Sequence, residues 1–254
     1  MRRYVLAAAV LLLAAIPLWL RAQRGCNGCE ALDAPPNPKY DGRFTYARIK
    51  YTMLGGDFGG RYRDIKWGHD YPQADHHFPK IVQEITTIRV RTEESAILAL
   101  DDPELARFPF AYMCEPGFWQ PSDKEVVGLR NYLLKGGFLI IDDFVGPAWN
   151  NFETQMRKVL PEARMIPLTA DHPIFDSFYR IPNLEFDHPY FGVRAQFYGI
   201  FEDNDPKKRM MAIVNYDYDV SEYWEFSDTG LFPIDLSNEA YKLGVNYIIY
   251  AFSH

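Results

Sequence analysis

The chain has 254 residues, of which 48% are hydrophobic and 16% aromatic, and its net charge is −7. That composition supports a sizeable core and excludes a disordered chain. The acidic balance excludes sequence-independent nucleic-acid binding, which needs a basic face, so no nucleic-acid partner is expected.

At the N-terminus Arg2 and Arg3 precede an uncharged apolar run from Tyr4 to Leu20, and Arg21 and Arg24 follow it. A basic start, an apolar stretch and small residues mark residues 1–24 as a signal peptide or membrane anchor. The run is near the lower length limit for a bilayer span. Leu20 fits a small-residue cleavage rule poorly, which favours an uncleaved anchor with its basic end in the cytoplasm. The expected location is the cell envelope, outside the cytoplasmic membrane (periplasm), anchored or secreted, with the membrane as a partner. Cys26 and Cys29 form a CNGC element that can close a small disulfide loop in an oxidising compartment. Glu30 stands where haem attachment needs histidine, and no second Cys or His pair follows at zinc-site spacing. Residues 25–41 carry Pro35, Pro36 and Pro38 and read as a stiff tether. One domain is expected over residues 42–254.

Phe44 to Tyr51 suits a first strand. Gly55 to His77 follows as a long loop rich in glycine, aromatic and ionisable residues, and loops of that length are usually functional or disordered. A helix is expected from Ala74 or Pro79 to Ile85, a short strand over Ile88–Val90, and a third strand over Phe110–Met113 ending in a Cys114-Glu115-Pro116-Gly117 turn. Ser122 and Glu125 have capping-box spacing, and Val126, Leu129 and Leu133 give the apolar stripe of a helix stopped by Gly136 and Gly137. Phe138 to Ile141 is a continuously apolar run that suits a strand covered on both faces. Asp142 and Asp143 then fall at the carboxyl end of that strand, where open α/β sheets gather ligands. A helix over Phe152–Leu160, a strand over Arg164–Leu168, a strand pair over Phe197–Phe201 and Met210–Val214, an acidic aromatic stretch from Tyr216 to Phe226, and a final buried helix over Asn238–Phe252 complete the domain. Strands alternating with helical patterns predict an α/β three-layer sandwich with a mainly parallel central sheet.

The order of a GGD loop, a YP-A-D helix start, an F-x-Y-M strand, L-R-x-Y-L-x-x-GGF-L-I-x-DD and D-H-P-I resembles domain-of-unknown-function family 4159 from about Phe44 to the C-terminus. The resemblance implies a flavodoxin-like fold similar to class I glutamine amidotransferases. It also implies a preceding signal or membrane segment, and it carries no established activity. Amidotransferase chemistry needs a cysteine on a sharp turn, activated by a histidine. Cys114 does follow a strand, but Met113, Glu115 and Pro116 flank it where a nucleophile elbow needs small residues. His172 and His188 are each followed by proline rather than by the pattern of that triad.

Asp142, Asp143 and Glu115 are therefore the candidate catalytic acids. A second group, Asp57, His69, Asp70, Asp75, His76 and His77, mixes the His and Asp donors used by zinc-class metals. Only one of His76 and His77 can face a pocket, since successive helical residues diverge. Asp57, His76 and Asp142 are the metal candidates for a divalent ion. Asp57, Tyr62, Asp75, His76, Trp119 and His172 are the binding candidates, with Trp119, Trp67 and Tyr62 as a possible aromatic wall. In the two Asp-His-Pro tripeptides, 171–173 and 187–189, the aspartate side chain is expected to bond the local backbone. The function expected is a membrane-tethered module that holds a small polar ligand or an envelope protein partner, without amidotransferase activity. The alternative is a hydrolase-like enzyme using carboxylates at the sheet's carboxyl edge, with or without a metal.

Overall fold

The computed structural model describes residues 35–54 and 64–254. The expected anchor over residues 1–24, Cys26, Cys29, and the binding candidates Asp57 and Tyr62 lie outside the described residues. Among the described residues no helix is long and apolar enough to cross a membrane.

The strands are β1 (Ala47–Lys50), β2 (Ala96–Ala99), β3 (Phe110–Cys114), β4 (Phe138–Asp142), β5 (Ile166–Pro167), β6 (Gln196–Phe201) and β7 (Met210–Tyr216). The helices are α1 (Gln73–Ile85), α2 (Asp123–Leu134), α3 (Ala148–Val159), α4 (Val220–Glu225) and α5 (Ile234–Ser253). One seven-stranded sheet has the order β2-β1-β3-β4-β7-β6-β5. The first five of these run parallel, and β6 and β5 complete the sheet antiparallel.

Side chains alternate across a strand, so each central strand feeds two cores. Phe110, Tyr112, Phe138 and Ile140 pack with Phe78 of α1, Trp224 of α4 and Leu243 of α5. Ala111, Met113, Leu139 and Ile141 pack with Leu129 of α2 and Phe152 of α3 on the opposite face. The sheet is thus covered on both sides, which is why Phe138–Ile141 is apolar without interruption.

Local signals position the central elements. Ser122 Oγ accepts from Glu125 N, and Glu125 Oε2 accepts from Ser122 N at 2.7 Å, a complete capping box. The other oxygen of Glu125 accepts from Thr52 N at 2.9 Å, tying the start of α2 to the segment after β1. Gly136 closes the helix at φ 108°, a backbone state that suits glycine.

The second strand differs from expectation. Val90 makes only a bridge to Phe44, and the strand beside β1 is Ala96–Ala99. Its two alanines carry weak strand preference, which hid it in the sequence. On its outer edge the Asn37 side chain imitates a neighbouring strand. Nδ2 donates to Ile97 O at 2.7 Å, and Oδ1 accepts from Ile97 N at 2.8 Å.

A candidate acid-lined site at the carboxyl edge of the sheet

Four parallel strands deliver acids to one edge. The segment after β1 brings Asp64, Lys66, His69 and Asp70; β3 leads into Glu115, β4 into Asp143, and β7 into Asp219, Glu222 and Glu225. This is the crevice beyond the strand carboxyl ends where α/β sheets bind ligands. Cys114 is paired with Asp142, so Glu115 and Asp143 emerge next to each other. Asp70, Glu115, Asp143 and Asp217 all have positive φ, at 64°, 49°, 58° and 55°. Strained backbone of this kind concentrates at functional sites.

Among the described residues, donor atoms converge in three overlapping groups. His69, Glu115 and Asp143 lie within 4.8 Å of one another, as do Asp70, Asp143 and Asp219, and Asp70, Glu222 and Glu225. His69 Nε2 is 2.7 Å from Asp64 Oδ1, and Nδ1 is 3.2 Å from Glu115 Oε1 and 3.7 Å from Asp143 Oδ2. Burial alone would push His69 down, but the carboxylates of Asp143 and Asp64 raise it to about 10, so the ring is an imidazolium at neutral pH. Lys66 Nζ, 2.9 Å from Asp64 and 3.2 Å from Glu115, adds a second positive charge on that side.

The other side of the cleft is acidic. Burial and then the neighbouring Asp70 raise Glu225 to about 8 and Glu222 to about 10, and the Tyr190 hydroxyl donates to Glu222. Burial first, then Glu115, pushes Asp143 well above the usual range, and Asp219 is raised by burial and by Asp143. Burial is the largest cause for each of these acids, and it outweighs the nearby cations, His69 beside Asp143 and Arg48 toward Glu225. All-oxygen donors such as Asp70, Asp143 and Asp219 suit a hard divalent cation. The His69 group has its ring nitrogens engaged by carboxylates and suits a zinc-class ion less.

Asp142 sits behind the cleft rather than in it. It is fully buried, and its oxygens accept from Tyr112 Oη at 3.0 Å, Asn215 Nδ2 at 2.9 Å, Val220 N at 3.0 Å and Ser221 N at 3.2 Å. Burial raises it to about 7 while these donors pull it back. Tyr112 Oη is 2.5 Å from Ser221 Oγ, which is 2.6 Å from Asp70 Oδ2. Three contacts therefore link Asp142, Tyr112, Ser221 and Asp70, while the two hydroxyls supply only two hydrogens. The third hydrogen must sit on a carboxyl.

Asp75 is taken up elsewhere. It pairs with Arg48, whose Nη2 is 2.5 Å from Asp75 Oδ1 with both side chains fully buried. Arg48 Nη1 also donates to Trp67 O at 3.2 Å and His69 O at 2.8 Å, so this pair fixes the backbone that carries His69 and Asp70.

Several expected site residues lie outside the cleft. Asp142 is sealed by its four donors and is not free to ligate an ion or meet a substrate. His76 is half-buried on α1 and joins none of the three groups. Trp119 is fully buried in the core against α3, and Trp67 is buried too, so the expected aromatic wall is core packing. His172 packs on Phe201, opposite the first residue of β7, and on Tyr250, which places it toward the amino edge of that strand. In both Asp-His-Pro tripeptides the ring bonds the following backbone, and in the first the Asp171 carboxylate bonds the local backbone as expected, accepting from its own amide and from the Thr169 hydroxyl. His172 Nδ1 accepts from Ile174 N at 3.3 Å, and His188 Nδ1 accepts from Tyr190 N at 3.1 Å and Phe191 N at 3.3 Å. Cys114 is buried, its thiol is pushed up by burial, and Sγ donates to Lys66 O at 3.3 Å.

Asp143, Glu115, His69 and Asp70 do meet. Asp64 and Lys66 carried no distinct signal in the sequence, whereas Asp219, Glu222 and Glu225, equally unexpected, did. From Asp217 to Glu239 there are seven acids and no lysine, arginine or histidine.

Residues 46–252 match a family model described as a domain of unknown function, DUF4159. No curated protein matches the chain.

Proposed function

The chain belongs to the DUF4159 family, and on that premise we propose a membrane-tethered extracytoplasmic module that binds a positively charged ligand in the acid-lined cleft. The observation that carries this reading is the convergence of Asp70, Asp143 and Asp219, with donor atoms within 4.8 Å, at the ends of four parallel strands. A divalent cation, alone or bridging to a small polar ligand, has the chemistry to match this all-oxygen donor set. The strand order β2-β1-β3-β4-β7 supports a flavodoxin-like, amidotransferase-like fold, whose order is 2-1-3-4-5 with ligands at the carboxyl edge. The buried Cys114 thiol, far from a thiolate state, supports a fold shared without amidotransferase chemistry. The basic-apolar-basic pattern of residues 2–24 supports the tether and the periplasmic side.

The test is calorimetric titration of the full-length chain with calcium and with manganese. Binding of either ion is expected, weakened at least tenfold in Asp143→Asn. No binding of either ion to the wild-type chain rejects the reading.

One observation favours a second reading. The shared proton on the Asp142–Tyr112–Ser221–Asp70 chain ends at the cleft, where Asp70 could serve a hydrolase as general acid. Turnover of a generic phosphate or carboxylic ester, lost in Asp70→Asn, would favour it over pure binding.

A further inference from the structure

Half of the large apolar residues exposed among the described residues fall in two short segments. These are Tyr190, Phe191 and Val193 in one, and Leu231, Ile234 and Leu236 in the other. Ile234 is 78% exposed and Phe191 53%, which is unusual for side chains of that size. The segments form one ledge: the rings of Tyr190 and Phe232 are 6.0 Å apart, and Phe232 in turn packs on Tyr223 at 4.8 Å. His188 pre-forms the first segment by accepting the amides of Tyr190 and Phe191.

The ledge is continuous with the acid cleft, because the Tyr190 hydroxyl donates to Glu222, which groups with Glu225 and Asp70. We infer that this ledge docks a segment of a partner protein that carries lysine or arginine among apolar residues, its cation seated against Glu222 and Glu225. The proposal rests on the positively charged ligand of the reading above and names a macromolecular source for that charge.

Charge selects the occupant. The second segment is acidic, with exposed Asp228 flanking it and exposed Asp235 inside it, and a cation that reaches Glu222 and Glu225 takes the place of the protons they hold. An anionic lipid surface would be repelled by that segment. A second copy of this chain would bring the same acids against themselves. A basic apolar segment satisfies both the exposed side chains and the carboxylates.

The test uses the full-length chain and a fluorescent synthetic peptide of leucine and lysine in helical repeat, followed by anisotropy. A matching peptide with serine for every leucine is the comparator. Ile234→Asp is the decisive variant. It adds an acid at the first position of α5, where a helix start tolerates one. Mere charge attraction would make this variant bind the peptide more tightly, whereas docking on the ledge makes it bind about tenfold more weakly. Glu222→Gln combined with Glu225→Gln is expected to weaken binding by a similar factor and to flatten its salt dependence. Four outcomes overturn the inference: unchanged or tighter binding to Ile234→Asp, equal binding of the serine peptide, self-association that Ile234→Asp abolishes, or attachment to anionic vesicles that Ile234→Asp abolishes. Calcium titration of the same preparation separates the two readings. Calcium binding with a peptide indifferent to Ile234 sinks the ledge alone, and loss of both sinks the cleft as well.

Discussion

Glu115 and Asp143 occupy matching places one residue beyond neighbouring parallel strands, both at positive φ and both within reach of the same His69 ring. The Glu115 amide donates to Asp142 O at 3.1 Å, so the strand pairing itself sets the two carboxylates side by side. A buried carboxyl held beside Glu115 on left-handed backbone lowers stability, and such an arrangement persists where it serves binding.

Asp143→Gly is expected to raise stability by about 1 kcal/mol, because glycine accepts positive φ and the cost of burying the carboxyl beside Glu115 disappears. Calcium affinity should fall at the same time. Denaturant midpoints and calorimetry on one preparation check both. A fall in stability would show instead that Asp143 anchors the fold.

The pH dependence has a definite sign. His69 is raised from 6.5 to about 10 and Glu225 from 4.5 to about 8, so the folded chain binds protons more tightly than the unfolded one at both groups. Stability therefore falls as pH rises. The Glu225 contribution is complete below 4.5 and lost through about 8, and that of His69 is complete below 6.5 and lost through about 10. Thermal melts should move down between about pH 5 and about pH 9. Glu225→Gln should flatten the lower part of that curve and His69→Gln the upper part. Added calcium should flatten the whole curve by taking the place of the protons.

Proton counting gives a spectroscopic expectation. Infrared spectra at neutral pH should contain the carbonyl stretch of an un-ionised carboxylic acid. Ser221→Ala removes the contacts that require it, so the band should weaken there. Glu222 and Glu225 contribute a constant background to that band, so a spectrum unchanged in Ser221→Ala would show that the Asp142–Asp70 chain holds no extra proton.

Arg48 and Asp75 form a buried pair, and removing one partner leaves the other charge uncompensated. Arg48→Met is expected to cost roughly 3–5 kcal/mol, and pairing it with Asp75→Leu should restore much of that loss. Urea unfolding of the single and double variants measures it.

The central part of this fold was readable because its signals are local. The Ser122–Glu125 box, the glycines after α2 and the apolar run of β4 each specify their own stretch of backbone. Asp143 and Glu115 followed from the position of strand ends. What could not be read depends on distance. Asp142 and Asp143 are adjacent in sequence, yet one is sealed by Tyr112, Asn215 and α4 while the other faces the cleft. Only the packing of β7 and α4 against β4 decides which. Asp75 stands in sequence among the His and Asp donors of its loop, yet Arg48, 27 positions earlier, takes up its carboxylate. The Glu222 and Glu225 carboxylates reach the cleft through a short helix after the last parallel strand, and their acid-only stretch was the one visible hint.

The amide of Asn37 has a practical meaning for anyone cutting this protein. By closing the outer rim of Ala96–Ala99 it acts as a one-residue blocker against strand-to-strand polymerisation. A soluble fragment that begins after it would leave Ile97 with bare hydrogen-bonding groups. Such a fragment should aggregate where one starting at Pro35 or earlier stays monodisperse.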